Sequence, residues 1–384
     1  MKKVLYGIIA VATVTVFGLL IWQQNKPSSP DKNKQPAPEL ISPVIKSTLD
    51  AMTLRDKVAS LFILHAPGID QSALQAFAAE YKPGGLILMG DNIPASDEEL
   101  KSVTGAVRGL EAFPRLVAID EEGGTVHRIR NDAFPGAETL GEENLDKTRE
   151  VFAARSEYLR TLGVNLNFGI VADVTSDPAS FIYPRVLGTT PESAAARVSV
   201  AAEASRGKTL SSLKHFPGHG RVSEDSHKTI PETDVSLSDW RRTDALPFED
   251  GIAAEADTVM LGHLNYSSVD DVPASMSKKW HEILRSELKF KGLTITDDMF
   301  MLQHSGDERY TDPVENAVGA LAAGNDALLF VTNNNGTPDT VLDPHKLIDG
   351  VVDAVQNGTL LESDITKKAE RMLVYRERAA SFTR

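Results

Sequence analysis

The sequence predicts an α/β fold: a single-domain (β/α)8 TIM barrel preceded by an N-terminal transmembrane anchor and a Pro-rich tether. Two observations carry the barrel. From about residue 45 onward, short apolar runs alternate with longer amphipathic stretches, the rhythm of strands buried on both faces and of the helices that cover them. Ionisable side chains collect just after the apolar runs, where a parallel barrel brings its strand ends to one mouth. A doubly wound sheet would give the same alternation. No phosphate-binding loop stands at a switch point, however, and no break in composition marks a second domain.

The first element is the anchor. Lys2 and Lys3 precede an uncharged apolar run, Val4 to Trp22, of about the length that spans a bilayer. A cleaved secretory signal has a shorter apolar core that ends in a small-x-small site. Here the run closes on Leu19-Leu20-Ile21-Trp22-Gln23, and the one suitable triplet, Ala10-Val11-Ala12, lies inside it. Positive charge ahead of the span and an interfacial Trp22 predict an uncleaved anchor over residues 1–22, with the following domain outside the cytoplasmic membrane. Secretion after cleavage is the alternative. Residues 23–44 are polar and Pro-rich and read as an extended tether, leaving residues 45–384 for the folded domain.

Within that domain the expected strands are Ser60–His65, Gly85–Met89, Arg115–Ile119, Val164–Phe168, Leu210–Lys214, Thr258–Gly262, Leu293–Thr296 and Ala327–Val331. Each is a short apolar run of the kind that a helix-covered strand requires. Charged and polar groups follow them: Asp120, then Asn167 to Asp173, then Lys214 and His215, then His263, then Asp297. Small residues at helical spacing from Ala317 to Asp326 predict a helix packed closely before the last strand. Met299 and Met301 read as core.

Bulk properties exclude several classes. A net charge of -14 argues against nucleic acid, which needs a basic surface, and against adhesion of the folded domain to anionic lipid. The complete lack of cysteine excludes disulfides, thiolate metal sites, a cysteine nucleophile and a lipidated-cysteine anchor.

The most informative segment is Lys214-His215-Phe216-Pro217-Gly218-His219-Gly220, followed by Asp225-Ser226-His227. Pro217 and the two glycines preclude regular structure, so ionisable groups crowd onto a loop at a strand end, the signature of a site. His215 and His219 are four apart, as on a zinc-binding helix, but Pro217 and Gly218 break that helix and no Glu sits between them; no metal is called for. His227 beside Glu224 and Asp225 could also be a solvated surface histidine.

With Met52-Thr-Leu-Arg-Asp-Lys-Val58, Ile119-Asp-Glu-Glu-Gly-Gly124, Gly163-Val-Asn-Leu-Asn-Phe168 and Gly292-Leu-Thr-Ile-Thr-Asp-Asp-Met299, the motif resembles the NagZ-like β-N-acetylglucosaminidases of glycoside hydrolase family 3. The resemblance covers most of the chain and implies a retaining glycosidase acting without a cofactor on terminal β-linked N-acetylglucosamine of peptidoglycan fragments or related glycans. By that resemblance Asp297 attacks the anomeric carbon with Asp298 as a supporting neighbour, although both could simply cap the next helix. His227, partnered by Asp225, is the acid/base. Asp120, Arg128, Arg185, Lys214 and His215 contact the sugar. His219 holds the loop, and His263 is either support or a satisfied core histidine.

Two departures stand out. Ile182-Tyr183-Pro184-Arg185-Val186-Leu187-Gly188 replaces the usual Gly-Asp before Arg-Ser-Phe-Gly, leaving Arg185 as a sugar ligand or an internal salt-bridge partner. Thr125-Val126-His127-Arg128 replaces Arg-Val-Gln-Arg, keeping only the second Arg. Two rivals remain at this level. One is a phosphorylase, since a histidine does not repel phosphate. The other is an inactive wall-binding protein. The sequence leaves the oligomeric state open.

Overall fold

The computed structural model describes residues 42–109, 113–130, 132–331 and 343–382. The expected anchor, residues 1–22, and nearly all of the expected tether, residues 23–44, lie outside them; the first described helix, Pro43–Ala51, already starts at Pro43. Among the described residues no helix is long and apolar enough to cross a membrane.

The described strands are, in chain order, β1 (Phe62–Leu64), β2 (Gly85–Leu88), β3 (Leu116–Ile119), β4 (Leu166–Val171), β5 (Leu210–Phe216), β6 (Glu232–Thr233), β7 (Thr258–Leu261), β8 (Asn265–Tyr266), β9 (Leu293–Asp298) and β10 (Ala327–Phe330). Eight of them close a parallel barrel in the cyclic order β1, β2, β3, β4, β5, β7, β9, β10. All eight expected strands are present, with shifted ends. β1 is shorter than expected because Ser60 caps the helix Leu54–Ala59. β4, β5 and β9 run further than expected, to Val171, Phe216 and Asp298. The expected ends of β5 and β9 fall where charged residues begin, whereas β4 continues through the apolar Gly169-Ile170-Val171. At a barrel mouth, polar side chains prolong the ladder because they bond one another across it.

Register breaks fall near that mouth, between Asn167 and Ile170, between Leu213 and Phe216, and between Ala327 and Leu329. Such irregularities re-aim the side chains beyond them. Below, Ile63, Ile87, Leu116, Phe168, Met260 and Ile295 fill the barrel interior, so it is a packed core and not a channel. The helix Pro313–Ala323 buries Ala317, Ala320 and Leu321, as its small residues predict. It stops at Gly324, whose φ of +133 favours glycine and where an added Cβ would meet the His281 ring at 2.8 Å.

The loop after β5 is bolted to the scaffold. Phe216 meets Trp240, Phe248 and Trp280 edge-on, at ring separations of 5.9, 5.2 and 5.6 Å. Trp240 Nε1 donates to the Pro217 carbonyl at 2.8 Å, and the Tyr266 hydroxyl donates to that of Gly218 at 2.5 Å. Further along, β6 and β8 form a two-stranded parallel ribbon that joins this loop to the segment after β7. Trp240→Phe keeps most of the ring but leaves the Pro217 carbonyl unpaired, at a cost of about 1–3 kcal/mol. The expected result is a lower urea midpoint at unchanged slope; an unmoved midpoint would show that this bond contributes nothing.

Candidate active site

The barrel mouth is organised around one buried amine. Lys214, 2% exposed, stands 2.8 Å from Asp120 Oδ1 and 2.6 Å from Glu122 Oε1. Glu122 also takes both Arg185 Nη2, at 2.8 Å, and Arg185 Nε, at 3.0 Å. Arg128 Nη2 reaches Asp120 Oδ2 at 3.3 Å. Charges therefore alternate across the floor of the site. Burial alone would push both carboxyls up, but Lys214 and Arg128 hold Asp120 far below its usual value, and Lys214 and Arg185 hold Glu122 at about 2. Burial would likewise lower Lys214, and the two carboxylates outweigh it. Asp120, Glu122 and Lys214 are therefore all charged at neutral pH.

A second organiser follows β4. Asp173 is fully buried and accepts from His215 N at 3.1 Å, His215 Nδ1 at 2.8 Å and His219 N at 2.6 Å. Burial pushes its carboxyl up to about 6 even though the His219 imidazole and these amides oppose it. Burial, then the Arg185 charge, drives the His215 imidazole well below its ordinary value. The neutral ring gives its Nδ1–H to Asp173 and turns Nε2 to within 3.4 Å of Arg185 Nη2. His219 is buried, with Nε2 3.0 Å from Ser226 Oγ, so it ties the strand end to the outer part of the loop.

On that outer part, Asp225 Oδ1 accepts from His227 N at 3.0 Å and from His227 Nδ1 at 2.8 Å. His227 is 59% exposed, and Phe181 meets its ring edge-on at 5.6 Å. Burial raises the Asp225 carboxyl less than the His227 amide and ring lower it. Across the mouth, Asp297 is the penultimate residue of β9. Burial pushes its carboxyl up, but the three imidazoles around it, His215 first, and the Asp298 amide that donates to it at 2.8 Å hold it below its usual value. Asp298 accepts from Val331 N at 3.0 Å and Phe300 N at 3.2 Å, and burial raises it to about 7. The capping role left open for both aspartates thus falls to Asp298, at the start of the helix Met299–Gln303. His263 is buried between Ser275 Oγ at 2.7 Å and the Asp298 carbonyl at 2.9 Å.

Asp120, Arg128, Arg185, Lys214, His215, His219, His227, Asp297 and Asp298 all line one cavity of about 450 Å³. Asp225 and His263 act on it only through their partners. Met89, Met260, Met301, Leu329 and Val331 give it an apolar side, so Met301 is not purely core. Among the described residues, no group of three or more His, Asp or Glu is placed to hold a metal ion.

A family model described as Glycosyl hydrolase family 3 N terminal domain matches residues 53–374. The chain belongs to glycoside hydrolase family 3. It is 35% identical over 268 residues to the beta-hexosaminidase of Idiomarina loihiensis, a match covering 67% of this chain and 79% of that one. A family 3 beta-N-acetylglucosaminidase from a Paenibacillus species superposes with a TM-score of 0.78 at 28% identity, over 86% of this chain and 63% of that longer chain. The beta-N-acetylhexosaminidase from Beutenbergia cavernae gives 0.72 at 26% identity, over 84% and 98%.

Within this family 3 chain, sequence reasoning missed Glu122 and Phe181, and it placed Asp173 at the mouth without giving it a role. Glu122 shares the strand-end motif Ile119–Gly124 with Asp120, which marks it as a neighbour of the mouth but not as the partner of Lys214. The altered segment around Arg185 keeps both roles left open. The guanidinium is an internal partner of Glu122, lies 5.8 Å over Phe181 and still lines the cavity. Glu122→Gln takes a charge from between two buried cations and is expected to cost about 3–5 kcal/mol. A carboxyl lowered from 4.5 to about 2 stabilises fully above about pH 4.5 and progressively less below it. The gap in thermal midpoint between wild type and variant should therefore narrow on acidification; a gap independent of pH would contradict the assignment.

Proposed function

We propose that this family 3 protein removes terminal β-linked N-acetylglucosamine with retention of configuration, through a covalent glycosyl-aspartate. The observation that best supports this is that Asp297 and His227 line one cavity, with a carboxylate behind the imidazole. The cavity, about 450 Å³, is at the small end of ligand sites and suits one terminal sugar. The names beta-hexosaminidase and beta-N-acetylglucosaminidase borne by the relatives support the same activity.

In the first step Asp297 bonds to the anomeric carbon as the bond to the leaving oxygen breaks, and the His227 imidazolium gives its Nε2 proton to that oxygen. Asp225 holds the Nδ1–H at 2.8 Å, which fixes the ring and leaves Nε2 for the proton transfer. In the second step Nε2 takes a proton from water, whose oxygen attacks the same carbon and expels Asp297. Two displacements retain configuration. Asp120, Arg128, Arg185, Lys214 and His215 take the sugar hydroxyls, while Asp298, His219 and His263 support the reacting groups. Peptidoglycan fragments or related glycans are the proposed substrates. The apolar run Val4 to Trp22 supports a location at the outer face of the cytoplasmic membrane.

Hydrolysis of p-nitrophenyl β-N-acetylglucosaminide tests the reading. Asp297→Ala should lower kcat by at least about 10⁴-fold. His227→Ala should cost about 10²–10⁴-fold on a disaccharide, and less on the nitrophenyl glycoside, whose leaving group needs no proton. A folded wild type that releases no sugar would overturn the proposal, and sugar 1-phosphate formed in phosphate buffer would replace hydrolysis with phosphorolysis.

A further inference from the structure

Glu121 sits between Asp120 and Glu122 but belongs to a different cluster. Its side chain is fully buried, and Oε2 accepts the backbone amides of Arg128 at 2.9 Å and Ile129 at 3.1 Å. Its other oxygen, Oε1, has no hydrogen-bond donor, and the carboxyl group it meets is that of Asp132. The Asp132 side chain is 2% exposed. Its Oδ1 accepts from Phe134 N at 2.7 Å, while Oδ2 also lacks a donor. Arg155, 1% exposed, comes from the helix Leu145–Thr161, but its Nε stops 3.6 Å from Asp132 Oδ2, beyond hydrogen-bond range. Its Nη2 donates instead to the Pro135 carbonyl at 2.8 Å.

Two ionised carboxylates beside one guanidinium would bury an uncompensated negative charge and leave two oxygens facing each other without a proton. A single proton between Oε1 and Oδ2 removes both problems, since the cluster becomes neutral and each oxygen gains a partner. We infer that Glu121 and Asp132 share one proton, and that this pair is the positioning device for the segment from Gly123 to Gly136, which carries Thr125 and Arg128 to the sugar cavity. Glu121 grips that segment at the Arg128 and Ile129 amides, Asp132 at the Phe134 amide, and Arg155 at Pro135. The other titratable groups facing the pair are Tyr158, on the same helix as Arg155, and Glu122, which is taken up by Lys214 and Arg185. Burial and then Asp132 push the Glu121 carboxyl up to about 8 against the pull of the two amides, which agrees with a retained proton.

The consequence for pH follows from the sign of that shift. Between about 4.5 and about 8 the folded protein keeps a proton that the unfolded chain has lost, so this group's contribution to stability falls as pH rises. Glu121→Gln replaces the shared proton with a permanent N–H donor. Its thermal midpoint should gain on wild type steadily from about pH 5 to about pH 8 and hold level above that. This readout does not depend on the glycosidase reading, whereas the kinetic one does. For wild type, KM should rise roughly five- to tenfold between about pH 7 and about pH 9 as the segment loosens. In Glu121→Gln that rise in KM should vanish, and Glu121→Ala, lacking donor and acceptors, should show a raised KM at every pH. If Glu121→Gln does not fold, Asp132→Asn supplies the donor from the other side and should behave alike. A midpoint difference independent of pH would overturn the shared proton. An unchanged KM profile beside a pH-dependent midpoint would overturn the link to Arg128. No turnover by wild type at any pH would instead count against the proposed reaction.

Discussion

Lys214 between Asp120 and Glu122 is the contact on which the rest of the site depends. The amine is almost wholly removed from water, and only two carboxylates within 2.8 Å make that tolerable. Those carboxylates come from the end of β3 and the amine from β5, 94 residues away. The pair therefore locks together strands that are separated in the barrel by β4. Arg185 joins through Glu122 and His215 through Arg185, so every polar group on the floor has a fixed neighbour before any sugar arrives. Such pre-organisation lets a floor hold hydroxyl groups without paying to order itself first.

The site divides into a rigid half and an exposed half. Asp297 leaves a barrel strand with three histidines within electrostatic reach, and His215 and His263 are buried. His227 stands on a loop with most of its side chain in water, held by Asp225 and by the edge of Phe181. The division suits the proposed chemistry. A nucleophile has to keep one position relative to the sugar, whereas a proton carrier serves first a departing oxygen and then an incoming water.

Much of this was legible in the sequence because it is local. The eight strands announce themselves as apolar runs, and the groups after them mark the mouth. The Lys-His-Phe-Pro-Gly-His-Gly segment and Asp225 to His227 carry their chemistry within a few residues of each other. What escaped is what spacing does not encode. Glu122 bonds a lysine from a distant strand, Asp173 binds the loop after β5 from the end of β4, and Phe181 packs on His227 from another loop. The ends of β5 and β9 escaped for a related reason. Polarity marks where a strand should stop only when its polar groups face water, and here they face one another.

The loop that carries His227 is clamped at both ends by contacts that do not involve its tip. Arg221 is paired with Asp244 at 2.8 Å on the entering side, and Pro231 accepts from Asn265 N at 2.9 Å where the ribbon begins. The residues between leave and rejoin the scaffold at these two points, and His219 ties Ser226 to the strand end from within. A segment built this way can change in sequence without disturbing the eight strands under it. New reach beyond the cleaved sugar can thus arise by editing a single loop, with the floor that grips the sugar itself left untouched.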